Sequence, residues 1–173
     1  MRALVVFESM FGNTHRIADA VAAGVGRYAT VTMVPVDDAP TQLDTDLDLL
    51  VVGGPTHVHG LSSLRSRQVN PKLAAQGAVQ GRIGVREWLT ALTGPAVPAA
   101  AFDTRFRKPR WLTGSAAVHA ARLLRKRGSQ LARPPESFFV GEGAGPLLPG
   151  ELDRARAWGE QLGKSVAVGG RVG

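Results

Sequence analysis

Short apolar runs alternate with polar or glycine-rich turns along the chain, and most of these turns lead into a segment with helical periodicity. This alternation predicts β-α-β units, and therefore a parallel sheet covered by helices. The first run is apolar at every position from Ala3 to Phe7, as in a strand that is buried on both faces. The predicted strands cover residues 2–7, 30–36, 47–54, 96–102 and 137–140.

Two turn-forming residues refine these strands. Pro35 cannot donate to a β-ladder, which places strand 30–36 at an edge of the sheet. Gly53, Gly54 and Pro55 end strand 47–54 abruptly.

Apolar stripes at helical spacing predict the helices. The first begins near Asn13 and presents Ile17, Ala20, Val21 and Gly24 on one face. A second spans 114–127 and ends before a glycine, and a third follows residue 150. Weaker patterns predict helices over 62–68 and 85–92, the latter with Trp88 turned inward. Residues 169–173 are interpreted as a flexible tail, so residues 1–168 are expected to form a single domain.

Composition limits the chemistry. The 173 residues are 44% hydrophobic and 20% charged, which is ordinary for one globular domain. No apolar run is long enough for a membrane span or a signal peptide, so we expect no membrane span and a cytoplasmic location. Cysteine is absent, which excludes disulfides, thiol redox chemistry and zinc sites built on thiolates. Any redox chemistry must therefore use a bound cofactor.

The clearest local motif is the segment Ser9-Met-Phe-Gly-Asn-Thr14, between the first strand and the first helix. The start of a helix gathers unpaired N–H groups, and the helix dipole favours negative charge there. Gly12 permits close approach of the backbone to a ligand, while Ser9 and Thr14 carry hydroxyl groups. The segment predicts a site for a phosphate monoester. The alternative is an ordinary helix N-cap made by Ser, Asn or Thr.

This segment resembles the phosphate loop of the flavodoxin family, which reads Thr/Ser-x-Thr-Gly-x-Thr, although Phe11 stands where the family has its middle Thr. Residues 51–57, Val-Val-Gly-Gly-Pro-Thr-His, are similar to the strand and loop that pack beside the flavin ring in that family. In that family a third contact with the flavin comes from the loop after the fourth strand, and residues 102–105 occupy the corresponding position in this sequence. The resemblance implies a flavodoxin-like α/β fold, a doubly wound five-stranded parallel sheet in the order 2-1-3-4-5 with helices on both faces, and FMN as cofactor.

On this resemblance, the cofactor-binding residues fall into three groups. They are Ser9, Met10, Phe11, Gly12, Asn13 and Thr14; Pro55, Thr56, His57 and Val58; and Phe102, Asp103, Thr104 and Arg105. The Trp or Tyr that usually stacks on the flavin is missing from these positions, which leaves Trp111 or Phe106 to cover the ring. His57 and His59 are too few for a metal site. They are interpreted either as contacts to the flavin or substrate or as solvated loop residues, and His15 and His119 as helix-surface residues.

The net charge is +7, which favours anionic partners. Arg105, Arg107, Lys108 and Arg110 follow the fourth predicted strand and are interpreted as a docking surface for an anionic redox partner protein or NAD(P)H, or as a solvated basic loop. Nucleic acid is disfavoured because the aromatic residues are not interleaved with the basic runs, except for Phe106 and Trp111.

The resemblance implies an FMN-binding redox protein, either an electron carrier or a small NAD(P)H-dependent flavin reductase that acts on quinone-like acceptors. No residue stands out as a general acid or nucleophile, so the cofactor would carry the chemistry. The missing stacking aromatics favour a second hypothesis, a flavin-free binding or regulatory module. Residues 56–95 are interpreted as a lid or a dimer surface, which leaves homo-oligomerisation open.

Overall fold

The computed structural model describes residues 1–56, 60–62, 82–141 and 145–169. The strands are β1 (Arg2–Phe7), β2 (Thr30–Pro35), β3 (Leu49–Pro55), β4 (Ala99–Phe106) and β5 (Glu136–Val140). The helices are α1 (Asn13–Val25), α2 (Val85–Ala91), α3 (Arg110–Thr113), α4 (Ala116–Lys126) and α5 (Glu151–Gly169), with a 3₁₀ turn at Val36–Asp38.

The five strands form one parallel sheet in the order β2-β1-β3-β4-β5. This confirms the predicted fold class and the position of β2 at the sheet edge. β1, β3 and β4 occupy the centre of the sheet, so their carboxyl ends lie side by side. The loops that follow these three strands build the candidate site described below.

Each face of the sheet carries its own hydrophobic core. Along β3, Leu49 and Val51 belong to the core under α1 and α5, while Leu50 and Val52 belong to the core under α2 and α4. This division follows from the alternation of side chains along a strand. Trp88 is buried in the second core, which confirms its predicted inward position.

Helices α1 and α5 pack against each other unusually closely. A Cβ atom on Gly24 would overlap the backbone of Arg156, and a Cβ on Gly159 would overlap the backbone of Val21. Glycine at both positions therefore lets the two helix backbones touch over the buried face of the sheet.

Strand β4 differs from the prediction in a way that matters for the site. It was predicted over 96–102, but it spans Ala99–Phe106, and its second half pairs with β5. Asp103, Thr104 and Arg105 therefore lie within the strand, whereas the sequence placed them in a loop. Polar residues are not typical of a central strand, and the hydrogen-bond partners that allow their burial here are remote in sequence. The sequence pattern therefore did not predict this half of the strand. The predicted helix over 62–68 lies outside the described residues, apart from Ser62.

Candidate functional site

The segments that follow β1 and β3 meet the end of β4 at the carboxyl edge of the sheet. Glu8, directly after β1, donates its backbone N–H to the carbonyl of Gly53 at 2.9 Å. Thr56, directly after β3, donates its N–H to the carbonyl of Thr104 at 2.9 Å. The hydroxyls of Thr14 and Thr104 lie 2.8 Å apart in a hydrogen bond. The structure thus brings the three predicted segments together, except for Phe102, which points into the core, and for His57 and Val58, which lie outside the described residues.

Gly12 gives the loop before α1 its shape. It has φ +85° and ψ −16°, a left-handed conformation that strains any residue with a side chain. Among the described residues, apart from its two chain neighbours, no atom lies within 4 Å of the position that a Cβ atom would occupy. The backbone at Gly12 is therefore open to a ligand.

The first turn of α1 leaves backbone donors for that ligand. The first hydrogen bond of the helix runs from the N–H of Arg16 to the carbonyl of Gly12 at 3.0 Å. The N–H groups of Asn13 and Thr14 have no acceptor within the helix, and no hydrogen bond between described residues uses them. They lie at the positive end of the helix dipole, which suits a phosphate.

The polar side chains of the same loop are engaged within the protein. The Ser9 hydroxyl accepts a hydrogen bond from the N–H of His15 at 3.2 Å, as a helix cap does. The Asn13 amide donates to the carbonyl of Gly145 at 2.8 Å. The Thr14 hydroxyl pairs with Thr104, as described above. Any phosphate cradle in this loop therefore depends first on the backbone.

The remaining two residues of the loop are apolar. Met10 is buried and Phe11 is half-buried. Neither brings a hydrogen-bonding side chain to the loop, so Met10 and Phe11 contribute packing and their backbone.

The carboxylate of Asp103 organises the junction between β3, β4 and α4. It is 0% exposed, and its Oδ2 accepts hydrogen bonds from the hydroxyls of Thr56 and Ser115, at 3.1 and 2.6 Å, and from the N–H of Ala117 at 3.0 Å. The second oxygen, Oδ1, is buried, has no hydrogen-bond partner among the described residues, and lies 4.0 Å from Nε of Arg105. Asp103 thereby fixes Thr56 to the start of α4, and with it the end of β3.

Phe102 is buried in the core and does not line the carboxyl edge. Its ring packs edge-on against Phe138 and Trp158, at 6.0 and 6.2 Å between ring centroids. A Cβ on Gly53 would overlap the Phe102 ring, so glycine at that position makes room for it. The side chain of Phe102 therefore contributes to the core that packs against the strands of the site.

Arg105 was predicted to form part of an exposed basic surface. This prediction is wrong, because only 8% of Arg105 is exposed. Its Nη1 donates to the carbonyl of Lys108 at 2.7 Å and to the hydroxyl of Thr113 at 3.0 Å. Its guanidinium carbon also lies 5.3 Å from the centre of the Phe139 ring. Arg105 therefore holds the loop between β4 and α4 in place. Arg107 and Lys108 are exposed, as expected.

Glu8 is a buried site residue that the sequence analysis missed. Its Oε1 accepts a hydrogen bond from the Ser62 hydroxyl, and its Oε2 accepts one from the N–H of Val85 at 3.0 Å. It thus joins the end of β1 to Ser62 and to Val85, the first residue of α2. A carboxylate directly after a buried strand was the available signal, but the pattern gives no indication of partners that are 54 and 77 residues away.

The two helix histidines differ from each other. His15 is exposed as predicted, and its ring stacks on Phe7 with 4.8 Å between centroids. His119 was predicted at the surface but is half-buried, because its ring fills the space beside Gly60. Burial lowers the pKa of His119 below its ordinary value of 6.5, and the positive charges of Arg86 and Arg122 lower it further. Within the described parts of the chain, no group of three or more His, Asp or Glu side chains could hold a metal ion.

No helix among the described residues has the length and apolarity required to cross a membrane. At the level of sequence, neither a protein-family model nor a curated protein matches the chain.

Solved structures of similar architecture do exist. A flavodoxin from the domain Archaea matches with a TM-score of 0.65 at 17% identity, over 96% of this chain and 99% of that one. Oxidised flavodoxin 2 from Bacillus cereus matches with a TM-score of 0.65 at 14% identity, over 95% and 99%. A WrbA-like flavodoxin from Agrobacterium tumefaciens matches with a TM-score of 0.59 at 19% identity, over 95% and 96%. Together with the strand order, these matches show that the chain has the flavodoxin-like fold.

Proposed function

We propose that this chain binds FMN at the carboxyl edge of its sheet and acts as a flavin-dependent redox protein. The observation that carries the proposal is the start of α1. There a left-handed Gly12 with open space above it precedes two N–H groups that no described residue uses. A phosphate monoester satisfies such donors, and the helix dipole stabilises its charge. The flavodoxins among the structures of similar fold support the choice of a flavin phosphate.

The residues present fit this cofactor. The backbone of residues 12–14 would hold the phosphate, and the segments that follow β3 and β4 would flank the ring. Asp103 and Arg105 support those segments from within the protein. Flavin supplies one- and two-electron redox chemistry when bound. The chain itself has no cysteine, so it supplies no thiol for redox chemistry.

Trp111 is the proposed cover for the flavin ring. It lies in the segment after β4 and is 84% exposed, so no contact within the described structure holds the side chain in place. Stacking an aromatic side chain on a base-like ring stabilises binding by about 1–3 kcal/mol. Replacing Trp111 with Ser should therefore weaken FMN binding by about tenfold or more, which fluorescence titration of the flavin would measure.

A second candidate function is a flavin-free binding or regulatory module. It is favoured by the internal hydrogen bonds of Ser9, Asn13 and Thr14, which give each polar side chain of the loop a partner within the protein. On this view the loop is a helix cap, and it needs no phosphate.

The absorption spectrum of the purified protein distinguishes the two candidates. We expect the yellow spectrum of oxidised flavin, either in the protein as isolated or after FMN is added and the excess is removed by gel filtration. Mass analysis of the released chromophore should identify FMN. A colourless protein that retains no FMN after such loading would favour the flavin-free module.

The electron donor or acceptor is proposed to be anionic, either NAD(P)H or an acidic redox partner protein. Arg107, Lys108 and Arg110 lie in the segment after β4, beside the proposed flavin edge. Cations there steer an anionic partner and lose that effect as salt shortens the Debye length. The rate of flavin reduction or reoxidation by the true partner should fall with salt. Replacing the three cations with Ser should flatten that dependence, and an identical salt response would remove them from docking.

A further inference from the structure

The exposed apolar side chains of this protein are concentrated in one short segment. Among the described residues, five large hydrophobic side chains are exposed, and three of them lie within residues 106–112, which we term the docking loop. These are Phe106, Trp111 and Leu112, which are 38%, 84% and 48% exposed. Exposed apolar groups that cluster in this way mark an interaction surface.

The docking loop is held firmly at its base. Arg105 comes directly before the loop, is buried, and donates to the carbonyl of Lys108 within the loop and to the hydroxyl of Thr113 directly after it. Helix α3 carries Trp111 and Leu112 as neighbours in a single turn. The apolar groups therefore project from a fixed support.

The charged residues in and after this loop have one sign along the sequence. Residues 104–135 include no Asp or Glu, whereas they include nine Arg and Lys residues. Arg107 and Lys108 are exposed within the docking loop itself, and Arg110 is part of the same loop. The nearest carboxylate in the sequence, Asp103, is fully buried. The apolar side chains thus lie next to cationic residues, with no exposed acidic residue beside them in sequence.

We propose that the docking loop binds the surface of an anionic lipid bilayer. A bilayer surface has an apolar layer just below a layer of anionic headgroups, which matches Trp111 and Leu112 flanked by Arg107 and Lys108. A nucleic acid gives adjacent Leu and Trp side chains no apolar layer to enter, and an acidic protein would need an apolar pocket of matching shape. The binding is peripheral and needs no membrane-spanning helix. It applies to the protein without FMN, because Trp111 is proposed to cover the flavin ring once FMN is bound.

The tryptophans provide a direct readout of this binding. Of the three in the chain, Trp88 and Trp158 are buried and only Trp111 is exposed. Transfer of Trp111 into the bilayer should shift its emission to shorter wavelength. We therefore expect a blue shift when the full-length protein is titrated with vesicles of phosphatidylcholine mixed with phosphatidylglycerol. Vesicles of phosphatidylcholine alone should give little or no shift.

Substitutions separate the two parts of the surface, with vesicle co-sedimentation as the second measurement. Replacing Arg107, Lys108 and Arg110 with Ser should lower the partition coefficient by about 100-fold, because each cation near an anionic surface contributes about fivefold. Replacing Trp111 and Leu112 with Ser should lower it by about tenfold or more. Val168→Ser is the matched apolar control, since Val168 is exposed on α5. Arg125→Ser with Lys126→Ser is the charge control, at the far end of α4.

Each outcome decides the proposal. It is supported if both docking-loop variants lose binding and both controls retain it. It is overturned if wild type does not bind the anionic vesicles, if it binds neutral vesicles equally well, or if the controls lose as much as the docking-loop variants. It is also overturned if single-stranded DNA produces the blue shift at lower concentrations than the vesicles do. The vesicle titrations use apo-protein, in which there is no flavin for Trp111 to cover, so failure here leaves the FMN proposal unaffected.

Discussion

Substitution of Gly12 by alanine tests the phosphate loop most specifically. Gly12 has φ +85°, and no atom of the described residues beyond its chain neighbours lies within 4 Å of its Cβ position, so the new methyl group would strain the backbone without meeting a described atom. The left-handed conformation costs about 1–2 kcal/mol with a side chain present. Part of this, about 0.4–1 kcal/mol, is offset because alanine restricts the unfolded chain. The net loss of stability should be about 1 kcal/mol.

The methyl group should affect FMN binding more than stability. It would occupy the open space through which a phosphate reaches the N–H groups of Asn13 and Thr14. Loss of one hydrogen bond to a charged group costs about 1.5–3 kcal/mol. This corresponds to a decrease in FMN affinity of about 10- to 150-fold. Isothermal titration calorimetry of apo-protein with FMN measures it, and thermal unfolding measures the change in stability.

Gly150 provides a matched control. It has φ +82°, and no atom lies within 4 Å of its Cβ position either, but it precedes α5 and not α1. Gly150→Ala should therefore lower the melting temperature by about the same few degrees and leave the FMN affinity unchanged. Unchanged affinity in Gly12→Ala, or an equal loss of affinity in both variants, would refute the assignment of the phosphate to this loop.

Three further predictions concern the hydrogen bonds and the buried ionisable groups of the site. Ser9→Ala combined with Thr14→Val should weaken FMN binding by about tenfold and lower stability by about 1–2 kcal/mol; unchanged calorimetric affinity would remove the hydroxyls from the site. Asp103→Asn should lower the free energy of unfolding by about 1–3 kcal/mol in urea denaturation, because its fully buried carboxylate accepts three hydrogen bonds, whereas the exposed control Asp19→Asn should have no effect. The lowered pKa of His119 means that the unfolded chain binds its proton more tightly, so the free energy of unfolding should fall as the pH drops below about 6.5. His119→Gln should remove that part of the pH dependence, and an identical pH profile would show that His119 does not contribute to it.

The sequence predicts the elements that have strong local patterns. β1 and the central part of β3 are continuous apolar runs, and both lie in the buried centre of the sheet. The stripe of Ile17, Ala20, Val21 and Gly24 is buried on α1. Pro35 correctly places β2 at the edge. In each case a single local property decides the position, so no knowledge of remote partners is required.

The extent of β4 could not be predicted in this way. Asp103 and Arg105 resemble loop residues, yet they are buried because Thr56, Ser115 and Thr113 satisfy them from other segments. The same reasoning applies to Glu8. Polar residues in a core become stable only through partners that the fold brings together, and local periodicity contains no information about these partners.

For the loop of residues 9–14, the sequence predicts the backbone conformation but not the side-chain partners. Its order of residues predicts a helix start that attracts an anion, and the left-handed Gly12 agrees with that prediction. The sequence also suggested free hydroxyls for a phosphate. However, Ser9 and Thr14 have partners within the protein, because the fold brings His15 and Thr104 within reach. A phosphate in this loop would therefore depend on the backbone N–H groups more than on the side-chain hydroxyls.

If the start of α1 binds the phosphate of FMN, FMN should bind more tightly than riboflavin, which lacks the phosphate. Calorimetric titration of apo-protein with each compound gives both dissociation constants under identical conditions. Two charge-assisted hydrogen bonds from the backbone predict that FMN binds at least about 100-fold more tightly than riboflavin. Equal dissociation constants for the two compounds would show that the start of α1 does not bind the phosphate.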